Sequence, residues 1–140
     1  YKIFTGEMMI IYYSLTGHTK KVALEIAKKT EDELYEIQLD KPYKSNPLVL
    51  ARFTREKAKG VIPTAHKIDI DDDVIYLGYP MWGGDMSLAM QGFLMANDLS
   101  GKHIKPFITS GKSTLEMSLK TLKKLAPDAM IDANFNPDML

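Results

Sequence analysis

Met9-Ile10-Ile11-Tyr12-Tyr13-Ser14-Leu15-Thr16-Gly17-His18-Thr19-Lys20-Lys21-Val22-Ala23-Leu24-Glu25-Ile26-Ala27-Lys28-Lys29 is the stretch that decides the fold. Met9–Tyr13 is an apolar run of strand type. It stops at a short Ser/Thr/Gly loop. Val22, Ala23, Ile26 and Ala27 then recur at the spacing of one helix face, which predicts a helix from about Thr19 to Lys29. A strand, a hydroxyl-rich loop and a helix start, in that order, bring backbone N–H groups, hydroxyls and the positive end of a helix dipole to one point. Such a point suits a phosphate. A plain N-cap with a tight turn is the alternative, since Ser and Thr often precede helices. Ser14, Thr16 and Thr19 with Gly17 are more than capping requires.

Outward from this segment, strands and helices alternate, the pattern of an α/β fold with a parallel sheet and crossover helices. Glu33–Leu39 reads as an outer strand, and Pro47–Lys59 as a helix burying Leu50, Phe53 and Ala58. Val74–Tyr79 is a continuous apolar run, as expected of a strand buried on both faces. Ser87–Ala96 is helical. His103–Thr109 is a fourth strand, in which Pro106 suggests a bulge or weak pairing. Thr114–Ala126 is an amphipathic helix with Leu115, Leu119, Leu122 and Leu125 on one stripe. Ala129–Phe135 completes five strands. No final helix follows to cover the sheet face beside strand one.

The chain has 140 residues, the size of one domain, assigned to residues 8–140 with residues 1–7 as an extension. Lys plus Arg and Asp plus Glu are 18 each, so net charge offers no footprint for nucleic acid or an anionic membrane. No apolar run is long enough to span a bilayer, and the amino end lacks a signal peptide's apolar centre. A cytoplasmic protein is expected. The absence of cysteine excludes thiol nucleophiles, dithiol redox loops, iron–sulfur clusters and thiolate zinc sites. His18, His66 and His103 are scattered, so no metal site is expected. Redox chemistry would have to come from a bound organic cofactor.

In open α/β sheets, ligands bind beyond the carboxyl ends of the strands. Three loops leave those ends. The first, Ser14–Thr19, includes no Lys or Arg and suits a phosphate monoester held by neutral donors. The second, Tyr79-Pro80-Met81-Trp82-Gly83-Gly84-Asp85, carries the only tryptophan, placed to stack on a planar heterocycle or to cap the sheet edge. The third is Thr109-Ser110-Gly111-Lys112-Ser113-Thr114. Its Gly-Lys-Ser tempts a P-loop reading, but the required glycine five positions earlier is Pro106. A helix cap at Ser113 or Thr114 is the plain alternative. Together the loops outline a mononucleotide with a large planar ring.

In this order and spacing the loops resemble the flavodoxin family over about residues 8–135, in its short, flavodoxin-like branch. The resemblance implies a doubly wound five-stranded parallel sheet of order 2-1-3-4-5, with the last helix missing here. It also implies noncovalent FMN. The phosphate would lie on Ser14, Leu15, Thr16, Gly17, His18 and Thr19. The isoalloxazine would be flanked by Pro80, Met81, Trp82, Gly83 and Gly84, and its polar edge would meet Thr109, Ser110, Gly111 and Lys112. His18 replaces the family's usual Asn, Gly83 its second Trp, and Gly111-Lys112-Ser113-Thr114 its Gly-Gly-Ser-Gly.

The expected function is that of an FMN-binding redox protein. It would transfer electrons to a partner protein or reduce a small acceptor. Family carriers are typically acidic, and the neutral charge here leaves room for a small flavin reductase. Lys112, near the ring's pyrimidine edge, would raise the flavin potential; a solvated lysine at a helix start is the plain alternative. The alternative is a non-catalytic binding or assembly module on the same fold, in which an uncovered apolar strip on the sheet would seat a homodimer.

Overall fold

In the computed structural model, which describes residues 8–109 and 113–140, the opening segment becomes β1 (Met8–Tyr12) and α1 (His18–Thr30). Residues 1–7, taken above as an extension, and Ser110, Gly111 and Lys112 lie outside the described residues. β1 sits between β2 (Glu33–Glu36) and β3 (Val74–Trp82). The sheet continues from β3 through β5 (His103–Thr109) to β6 (Met130–Ile131), and every one of these pairings is parallel. β4 (Asp85–Met86) pairs antiparallel with the end of β3, off the main path. With that hairpin strand set aside, the order is the 2-1-3-4-5 implied by the resemblance.

Alternation along the strands divides the core in two. Ile10, Tyr12, Tyr76 and Phe107 face one way and pack on Ala23 and Ile26 of α1. Met9, Ile11, Ile75, Leu77, Tyr79 and Ile104 face the other way. That face is covered by α3 (Leu88–Ala96) and α4 (Glu116–Leu125), through Met90, Phe93, Leu94 and Leu122. Helices on both faces make the sheet doubly wound. Pro106 keeps its place in the ladder opposite Leu77, with no bulge. Ile104, two residues earlier, turns its carbonyl outward to Asp132 N–H, so Pro106 has its missing N–H on that same outer side. β6 has ended there, and the donor is not needed.

Three sequence-based expectations need correction. α2 (Leu48–Lys59) forms, but none of its residues is buried, and Leu50 is 67% exposed. Its inner stripe is Val49, Arg52, Phe53 and Glu56, because Arg52 and Glu56 pair with each other and with the 41–43 segment. The outer strands are also shorter than expected. β2 ends at Glu36, with Leu39 forming only an isolated bridge to Ala65, and β6 ends at Ile131. Nor is the sheet face beside β1 bare. Tyr76 and Phe107 are buried there, and the Phe135 ring lies 5.4 Å from that of Tyr76. Beyond Phe135 the described residues hold only a 3-10 turn, Pro137–Met139.

Candidate functional site

The first loop is shaped by two local interactions. Gly17 has φ 97°, a left-handed conformation that glycine adopts without strain, and its N–H donates to Ser14 Oγ at 3.0 Å. Gly17 is also the N-cap of α1, and no side chain caps that helix. Its first turn carries no acidic residue, so the orphan N–H groups of the turn are left for an external acceptor. Thr16 Oγ1 lies 3.3 Å from His18 Nδ1. Thr19 is buried, and its hydroxyl lies 2.6 Å from that of Thr109 at the end of β5. That hydrogen bond ties the first loop to the third.

What the sequence suggested was a loop after Tyr79 is a continuation of β3 into a two-residue hairpin. Trp82 pairs with Asp85 across Gly83 (φ 61°) and Gly84 (φ 81°), the positive-φ pair required by the tight turns that suit strand twist. Trp82 is held edge-on by three rings: Tyr13 at 5.9 Å, Tyr43 at 5.0 Å and Phe53 at 5.6 Å between centroids. Arg52 stacks its guanidinium 3.8 Å from the Tyr43 ring centre and donates to the Lys41 and Pro42 carbonyls. Asp85 is occupied, accepting from Met86 N–H and from Thr121 Oγ1 at 2.7 Å.

Leu15, Thr16, His18, Thr19, Pro80, Trp82 and Thr109 line one open cleft of about 380 Å3. That is within the size range of small-ligand sites, and no carboxylate lines it. The aromatic shell around Trp82 stays uncharged at neutral pH. Burial pushes the Tyr13 hydroxyl up to about 12, with Arg52 opposing and Glu36 adding. Burial also raises Tyr43, helped by its hydrogen bond to Glu56. One end of the cleft therefore offers neutral donors to an anion, and the other offers the flat surfaces of Pro80 and Trp82.

Of the other residues singled out in the sequence, Ser14 and Gly17 shape the turn, and Met81 and Gly83 line a neighbouring groove. Gly84 completes the hairpin. Ser110, Gly111 and Lys112 lie outside the described residues. Sequence pattern alone assigns Tyr13 and Tyr43 no role at the site, and it marks Phe53 as a core position only. The adjacent glycines after Trp82 were a legible hairpin signal. Nothing in the local pattern around Tyr43, set between two prolines, announces a contact with Trp82. Among the described residues no cluster of three His, Asp or Glu side chains could hold a metal, and no helix is long and apolar enough to cross a membrane.

The family model for flavodoxin matches residues 7–136. Among solved structures, a provisionally assigned flavoprotein from Bacteroides eggerthii superposes with a TM-score of 0.78 at 26% identity, covering 95% of this chain and 92% of its own. A similarly assigned protein from Bacteroides uniformis gives the same score and identity, over 96% and 94%. A flavoprotein from Lactobacillus acidophilus, solved in complex with FMN, shares the fold at a TM-score of 0.71 and 20% identity, over 91% and 90%. No curated protein matches the chain.

Proposed function

This chain belongs to the flavodoxin family, and on that premise we propose that it binds FMN noncovalently in the cleft between the first loop and the hairpin, and works as a redox protein. The observation that carries this reading is the cleft itself. It unites an uncapped helix start and the hydroxyls of Thr16, Thr19 and Thr109 with a tryptophan-bearing hairpin. The family's structural neighbour solved with FMN supports the same cofactor.

The α1 first turn and the loop hydroxyls would hold the phosphate ester, with Gly17 allowing the backbone to fold round it. Pro80 and Trp82 would flank the ring and exclude water from its face. Thr109, with Ser110, Gly111 and Lys112 beyond it, would meet the polar edge. The flavin, when bound, supplies reversible one- and two-electron chemistry that no side chain of this chain can perform. The protein's part is to hold it, fix its orientation and set its potential by stacking, hydrogen bonds and nearby charge. The electrons would go to a partner protein or to a small acceptor.

The test is a titration. The purified protein, stripped of any yellow ligand, should take up one equivalent of FMN and quench its fluorescence. Riboflavin, which lacks the phosphate, should bind at least about tenfold more weakly, a difference of about 1.4 kcal/mol. Absence of saturable FMN uptake would overturn the reading and favour a binding module on this fold.

A further inference from the structure

We infer that Tyr43 is a redox-active tyrosine: it re-reduces Trp82 after a one-electron oxidant has taken an electron from the indole, and it hands its phenolic proton to Glu56. The Tyr43 and Trp82 rings are in contact, with centroids 5.0 Å apart and planes at 83°. The Tyr43 hydroxyl donates to Glu56 Oε1 at 2.5 Å, the short distance of a charge-assisted bond to a carboxylate. One side chain therefore has an electron acceptor at its ring and a proton acceptor at its oxygen. Trp82, left as the indole radical cation, takes one electron from the Tyr43 ring. The phenol O–H bond breaks and its proton goes to Glu56 Oε1. The products are neutral Trp82, a neutral tyrosyl radical and a protonated Glu56 carboxyl.

Arg52 couples the two transfers. Its guanidinium lies 3.8 Å from the Tyr43 ring centre, so a ring that lost an electron and kept its proton would set a cation against a cation. Arg52 Nε also donates to the other Glu56 oxygen at 3.3 Å, which fixes the carboxylate beside the phenol. Its remaining nitrogens donate to the Lys41 and Pro42 carbonyls and keep the guanidinium partnered once Glu56 is neutral. Burial and the Glu56 bond hold the Tyr43 hydroxyl well above the usual phenol range, so the proton is present to be moved at neutral pH. Tyr13 also lies against Trp82, at 5.9 Å. Its hydroxyl has no hydrogen-bond partner among the described residues, so oxidising it would leave a positive charge inside the aromatic shell. That difference selects Tyr43.

Tyr43 lines an open depression with Lys44, Arg52 and Arg55. A small anionic reductant of the ascorbate class can enter there and return the electron, while Glu56 returns the proton. Trp82 also lines the cleft assigned to FMN, so oxidising equivalents arising there would meet this route first. That link rests on the flavin reading; the route does not.

The flavin-free protein is therefore the one to test. Azide radicals from a radiolysis pulse, which oxidise indoles faster than phenols at neutral pH, would generate the radical of Trp82, the only tryptophan. The indole radical absorption should decay in step with the growth of a phenoxyl absorption, at a rate independent of protein concentration. Tyr43→Phe and Glu56→Gln, which keep shape but remove the phenol and the base, should each slow that growth at least about tenfold. Tyr13→Phe should keep the wild-type rate. The wild-type transfer should be slower in heavy water, a readout that needs no variant. Equal rates in Glu56→Gln and wild type overturn the proposal, as does the absence of a solvent isotope effect. A rate lost in Tyr13→Phe and kept in Tyr43→Phe overturns it too. A protein that makes the transfer but takes up no FMN would support the relay and remove only the flavin reading.

Discussion

The hydroxyls of Thr19 and Thr109 are 90 positions apart in sequence and 2.6 Å apart in space. Thr19 is buried, so its replacement by the isosteric valine leaves the Thr109 hydroxyl without that partner at a partly enclosed position. Thr19→Val should lower the unfolding free energy by about 1 kcal/mol, measurable in urea. It should also weaken FMN by about tenfold, since two of the three proposed contact loops lose their tie. Asn97 is the clearest structural residue outside the site. Its amide accepts from Ile68 N–H at 2.9 Å and donates to the His66 and Phe93 carbonyls, fastening the 66–68 segment to the end of α3. Asn97→Ala should therefore cost about 2–3 kcal/mol in the same urea assay and leave the flavin affinity of the folded fraction unchanged. Individual roles of this kind were half legible. The hydroxyl and glycine content of the first loop marked it out, whereas the partner of Thr19 and the three bonds of Asn97 depend on residues far away in sequence.

At the scale of elements, the hairpin and α2 depart most from what periodicity suggests. The hairpin exists because Gly83 and Gly84 accept positive φ, and Trp82, the last residue before that turn, packs against Tyr13, Tyr43 and Phe53. In Gly83→Ala the new Cβ would occupy a left-handed residue and come 2.9 Å from Lys57 Nζ. A loss of about 1–2 kcal/mol follows from the backbone alone, and a shift in the Trp82 emission maximum should accompany it. α2 misled for a specific reason. Its apolar residues Leu48 and Leu50 point outward, at 74% and 67% exposure, while a charged pair, Arg52 and Glu56, occupies the inner stripe. Arg52 satisfies its donors on the carbonyls of residues 41 and 42, and no one-dimensional pattern records that. α4 shows the opposite case. Its leucine stripe, with Leu122 fully buried, is where the spacing placed it.

For the molecule as a whole, the most general expectation concerns alkaline pH. Tyr12, Tyr13 and Tyr79 are each raised from 10.0 to about 12, in every case chiefly by burial, which disfavours the phenolate. The folded-state values lie above those of the unfolded chain. The stability they contribute is therefore complete below about pH 10 and is lost as pH climbs through 12. The urea midpoint should be flat from pH 7 to 9 and then fall, and Tyr79→Phe should make the fall shallower. Tyr79 keeps its hydroxyl 2.8 Å from Ser118 Oγ in the core between sheet and helices, so it reports on the central packing. The sequence by itself determined the α/β class, the alternation of elements and the parallel sheet. These follow from local period and residue type, which act over a few positions. Only the tertiary structure decided that Phe135 closes the sheet face over Tyr76, that Trp82 stands in a ring of three aromatics, and that α2 turns its half-buried Arg52–Glu56 pair inward while showing Leu48 and Leu50 to the solvent. Those outcomes are settled by contacts between distant segments, where packing and hydrogen bonding outweigh what each segment would prefer alone.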